Sequence, residues 1–113
     1  RLLPEPMMSP EGSVALTDAT LNTIVPGHTL SGMLQLYFEN PEYSAIFAAD
    51  GSGLTITRGN DIETGSYRIE KDKLCLVGVV YLKDTCLVVY PSPNGFDLVR
   101  SNGRVVMTVS TLE

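Results

Sequence analysis

Residues 73–90, KLCLVGVVYLKDTCLVVY, hold the chain's only two cysteines, Cys75 and Cys86, in apolar runs on either side of a lysine-aspartate break. Val, Leu and Tyr suit a pleated, buried surface, so the two runs read as neighbouring strands. If the strands are antiparallel and Cys75 faces Cys86, the register sets Leu74 against Leu87 and Leu76 against Thr85, with residues 78–83 as the connection. A cross-strand bridge needs Cα atoms within roughly 4.4–6.8 Å, which opposed residues satisfy and a slipped register does not. The expected state is therefore a disulfide; two reduced, buried cysteines are the alternative. A metal site would need further His or Cys at ligand spacing, and the sole histidine, His28, is far away in sequence. No metal and no cofactor are expected.

At 113 residues the chain makes one domain, on the small side, where a staple adds useful stability. Closing the 11-residue separation between the cysteines is worth on the order of 3 kcal/mol in the chain-entropy description. No apolar run approaches the roughly 20 residues that a membrane-spanning helix needs. The chain begins at Arg1, so we expect a processed product whose targeting segment, if any, has been removed.

The formal charge is −5 and unevenly placed: residues 1–63 carry eight acids against two bases, residues 64–113 five against six. An acidic surface repels polyanions, so nucleic acid is excluded as a partner, and one of basic local charge is favoured.

Three of the seven prolines fall within the first ten residues, RLLPEPMMSP, which cannot continue as helix or central strand. Residues 1–16 therefore read as an extended arm ahead of a single domain, 17–113. Leu2, Leu3, Met7 and Met8 give that arm apolar side chains to bury, on its own domain or on another protein. Thr17 or Asp18 can cap a two-turn helix, DATLNTIV, in which Leu21, Ile24 and Val25 share a face and Pro26-Gly27 ends it. So short a helix must lean on other structure. His28 falls in the following turn and reads as a loop residue.

Further on, β-type runs alternate with turn chemistry: 31–38, 43–49, 53–58, 64–70, 73–79, 85–90, 95–100 and 104–110, separated by Asn40-Pro41, Asp50-Gly51, Gly59-Asn60-Asp61, Lys71-Asp72, 91–94 and Asn102-Gly103. Eight short strands joined by tight turns predict an all-β, up-and-down antiparallel meander closing into a small lipocalin-like barrel. Leu54 and Ile56 alternate with Thr55 and Thr57, and Tyr67 and Ile69 with Arg68 and Glu70, so these strands have one wet face. The cysteine strands are apolar on both sides, with Cys75, Val77, Cys86, Val88 and Tyr90 on one and Leu74, Leu76, Leu87 and Val89 on the other. The helix, the arm or another subunit must cover the second.

The aspartate-glycine turn at Asp50-Gly51, TGSYRIEKDKLCL at 64–76 and CLVVY at 86–90 together resemble small, largely uncharacterised exported proteins of proteobacteria. Their pattern is Gly-x-Trp/Tyr before a strand, Asp-x-Leu-Cys, and a second Cys about ten residues on; it covers roughly the last two thirds of the chain. The layout is also similar to the bacterial inhibitors of secreted metalloproteases, lipocalin-like barrels with one disulfide and an N-terminal arm that enters the protease cleft. These resemblances imply a periplasmic or extracellular protein.

Chemistry is sparse. There is no Walker loop, no G-x-S-x-G elbow and no H-E-x-x-H. Asp50-Gly51-Ser52-Gly53 lacks the spaced acids of a calcium loop and reads as a hairpin turn; Asn60, Asp61 and Glu63 read as a solvated loop. The expected function is a non-catalytic exported interaction protein, an accessory or inhibitory subunit. The alternatives are a carrier of a small apolar ligand and a protease inhibitor that uses its arm. Val80, Tyr81 and Leu82 lie where turn chemistry is ordinarily polar. With Leu2, Leu3, Met7 and Met8 they form the expected partner contact, Tyr81 as anchor. The partner is another protein, with homo-oligomerisation as a further option.

Overall fold

The computed structural model describes residues 14–36, 39–79, 82 and 84–113. One short helix, α1 (Asp18–Ile24), precedes eight strands: β1 (Thr29–Leu34), β2 (Glu42–Phe47), β3 (Gly53–Arg58), β4 (Asp61–Glu70), β5 (Lys73–Val77), β6 (Thr85–Ser92), β7 (Gly95–Val99) and β8 (Val105–Leu112). Every strand pairs antiparallel with the next, and β8 pairs with β1 to close the barrel. This is the up-and-down meander that the spacing of turns predicts.

Alternation decides which side chains point inward. Leu30 and Leu34, Tyr43, Ala45 and Phe47, Leu54 and Ile56, Leu74 and Leu76, Leu87 and Val89, then Leu98, Met107 and Val109 are buried in one cluster. An eight-stranded barrel is just wide enough for such side chains to fill. Two inward tyrosines keep their polar tips satisfied: the Tyr43 hydroxyl donates to the Thr108 carbonyl at 2.9 Å and the Tyr67 hydroxyl to the Ala48 carbonyl at 2.6 Å. Tyr67 meets Phe47 edge to face at 4.9 Å, and burial, with the nearby Asp50 carboxylate, pushes its phenol above the ordinary range.

The closing seam depends on Gly32. A Cβ at that position would collide with the Thr108 carbonyl on β8, so only glycine lets the strands approach there. The pairing shifts register beside it, between Ser31 and Gly32.

Some boundaries differ from the sequence reading. β1 starts at Thr29 and stops at Leu34 rather than running over 31–38, and Phe38 lies outside the described residues. β4 begins at Asp61, because Gly59 at φ 58° turns the chain so tightly that Arg58 already pairs with Asp61. Asp61 and Glu63 are therefore strand residues and not a loop. β5 ends at Val77. β6 continues through Pro91, which pairs with Phe96; β5 pairs only with 85–87 of β6, so Pro91 has no ladder partner to disappoint on that side.

In an up-and-down barrel successive turns alternate between the two ends. The β2–β3, β4–β5 and β6–β7 turns share one end with the start of β1, and α1 seats there. Leu21 and Val25 of the helix segment belong to the core cluster. Thr17 caps the helix through its side-chain oxygen to the Thr20 amide. The helix thus plugs a barrel end instead of covering the outer face of the cysteine strands.

Candidate functional site

β5 and β6 meet in the register that places Cys75 opposite Cys86, Leu74 opposite Leu87 and Leu76 opposite Thr85. The two cysteines form a disulfide with a Cα–Cα distance of 3.9 Å. Cys75 is buried and Cys86 half-buried, on the outer side of the barrel wall. A shallow groove of about 140 Å³ runs past the bridge, bordered by Arg68, Val77, Asp84 and Thr85. Glu70 lies beside it, one carboxylate oxygen 4.0 Å from the Cys75 sulfur. Arg68 donates to the same carboxylate at 2.7 Å and, with Lys71, holds it below the usual carboxylate range. Glu70, Cys75 and Cys86 are close enough to share an ion, but sulfurs joined in a disulfide are not thiolates and do not ligate as such.

The connection between β5 and β6 sits at the end opposite α1, and its described residues Val79 and Leu82 turn inward. Val79 and Leu82 are 1% and 2% exposed and belong to the core cluster. The Leu82 amide donates to the Val79 carbonyl at 3.2 Å, the Gly78 amide donates to the Asp84 carboxylate at 3.1 Å, and the Arg100 guanidinium donates to the Leu82 carbonyl at 3.2 Å. Leu82 is therefore a core residue of the folded chain, which corrects its expected place in a partner contact. Two inward side chains at an open barrel end gain more from burial than from solvent, about 1.5–3 kcal/mol each. Val80 and Tyr81, and with them Leu2, Leu3, Met7 and Met8, lie outside the described residues.

The root of the arm is fixed. The Leu16 amide donates to the Val89 carbonyl on β6 at 2.8 Å, just past the stretch of β6 that β5 pairs. Val14, two residues earlier, is 79% exposed.

No family model matches the chain, and neither does any curated protein or solved structure. Its surfaces must therefore be read from their own chemistry.

Polar groups far apart in the sequence act together. Asp18, in the first turn of α1, and Asp72, in the β4–β5 turn, each accept the other's backbone N–H at 2.7 Å. The turn signal at Lys71-Asp72 and the cap signal at Thr17-Asp18 were both readable, but nothing in a linear pattern links positions 54 apart. Asp84 is a similar case, closing the 78–84 loop with a carboxylate whose partner is a backbone amide. Asp50 caps its own hairpin: Ser52 donates to it through both hydroxyl and amide, which holds the Asp50 carboxyl below the ordinary range. His28 places Nδ1 3.0 Å from the Pro26 carbonyl, a local turn contact.

Proposed function

We propose that the chain is a non-catalytic exported interaction protein, an accessory or inhibitory subunit that binds another protein from outside its barrel. The observation that carries this reading is the use of the interior. Each of the eight strands contributes at least one inward side chain to one buried apolar cluster, with Leu21 and Val25 at one end and Val79 and Leu82 at the other. Such packing favours binding through the outer surface. The disulfide supports an oxidising compartment, periplasmic or extracellular. Among the described residues no helix is long and apolar enough to cross a membrane.

The proposed contact combines the arm residues Leu2, Leu3, Met7 and Met8 with Val80 and Tyr81. The position of the arm's root supports the combination. Leu16 is tied to Val89, and β6 leads back from there to Thr85, beside the loop, in four residues, about 13 Å of strand. Any thirteen-residue segment can reach at most about 40 Å, enough for the arm and the loop to engage one partner together. The acids of the first half favour a partner of basic local charge.

The test uses a partner cross-linked in the native envelope. Deletion of 1–10 and Tyr81→Ala are each expected to weaken its binding while leaving the thermal midpoint unchanged. Full binding by both variants would overturn the proposed contact.

A further inference from the structure

We propose that the outer face of β2, β3 and β4 is where two copies of this chain meet. The register defines the face. Thr55 pairs with Ile46 on one side and Thr64 on the other, and Thr57 pairs with Ser44 and Ile62. All six side chains lie on the outer side, since their neighbours Ala45, Ile56 and Leu54 belong to the core. Ile46 is 53% exposed and Ile62 67%. None of the six carries a charge.

Two properties point to a second copy as the occupant. A chain of net charge −5 repels its own kind overall, so copies approach more readily through a face whose own side chains carry no charge. Threonine and isoleucine are β-branched and stiff at χ1, so little side-chain freedom is lost on contact. The charges that bound the face supply the second property. Glu42 lies four residues before Ile46 on β2, and Arg68 four residues after Thr64 on β4. β2 and β4 run in the same direction, so these two opposite charges sit at diagonal corners about Thr55, separated by about 26 Å along the strands and about 10 Å across them. Glu42 is exposed, and the Arg68 side chain is 59% exposed.

A homodimer contact must complement itself under a twofold axis. An axis lying in the plane of contact, perpendicular to the Glu42–Arg68 diagonal, brings Glu42 of each copy over Arg68 of the other. Two ion pairs then flank an uncharged centre of threonine, serine and isoleucine. Arg68 keeps donors to spare beyond its bond to Glu70, because a guanidinium carries five. The face spans only three strands, small beside the ~800 Å² per partner of a standard interface, so the dimer is expected to be weak and concentration-dependent.

The experiment is sedimentation equilibrium of the full oxidised chain from micromolar to millimolar concentration, with the thermal midpoint followed for every variant. The wild type is expected to dimerise and Ile46→Lys to remain monomeric. Glu42→Arg and Arg68→Glu are each expected to weaken the dimer roughly tenfold, since each substitution occurs twice across the axis, and the double swap to restore it. Glu42→Arg brings the net charge closer to zero, so non-specific repulsion alone predicts the opposite change. Thr64→Glu, at an exposed position near the centre, gives a second probe should any variant fail to fold, and is expected to abolish association. A wild type that stays monomeric throughout overturns the proposal. So does a dimer indifferent to Ile46→Lys and Thr64→Glu, or a double swap that rescues nothing.

Discussion

Cys75 and Cys86 share one bond but not one environment: the first is buried in the barrel wall, the second half-open to solvent. The bond ties β5 to β6 where only three residue pairs join them, so it secures a short ladder. Replacing both cysteines with serine is expected to lower stability by about 2–5 kcal/mol in denaturant titration. A midpoint unchanged in the double variant would mean that the ladder and core hold that corner without it. Asp97 on β7 makes the opposite kind of prediction. Burial pushes its carboxyl above the ordinary aspartate range. A raised acid binds its proton more tightly folded than unfolded, so its charged form weighs against the fold above that range, and stability rises as pH falls through it. Asp97→Asn should therefore raise the thermal midpoint at neutral pH, and the gain should fade in acid. A destabilised Asp97→Asn at neutral pH would show that the carboxylate has a favourable partner.

The helix is the element whose place the sequence left open. Its cap and length were legible, since Thr17, Leu21 and Pro26-Gly27 are local signals, but which surface it covers depends on where a chain segment far away makes its turn. The β4–β5 hairpin supplies the answer. Lys71 and Asp72 both adopt the left-handed region, at φ 53° and 60°, the conformation a two-residue hairpin needs and one that costs non-glycine residues roughly 1–2 kcal/mol each. Bonds between Asp72 and Asp18 hold that turn and the start of α1 together. Asp72→Ala removes the acceptor for the Asp18 amide and is expected to cost about 1 kcal/mol, with earlier hydrogen exchange in α1 than in the strands. Equal protection of α1 in both proteins would detach the helix from the hairpin. The strand set and the cysteine register were readable because alternation and turn residues are themselves local. Leu82 was misplaced for the same reason. An apolar residue in a loop looks exposed in a linear sequence, and only the open end of a barrel gives it somewhere to go.

At the scale of the molecule, closure is the property on which the rest depends. β1 meets β8 across the longest separation in the chain, and Gly32 is the point where the seam admits no side chain. Gly32→Ala should cost roughly 1–3 kcal/mol by overpacking, with hydrogen exchange rising first in β1 and β8. Unchanged protection along both strands would show that the seam has slack. The closed barrel and its buried apolar cluster support the outward-facing function proposed above, since inward side chains take up space that a carrier would keep for cargo. Native mass spectrometry of the protein gently released from its own envelope tests that claim most directly. The expected spectrum shows the chain bound to a second polypeptide that dissociates intact. A spectrum of the lone chain carrying a small apolar molecule, lost on denaturation, would contradict it.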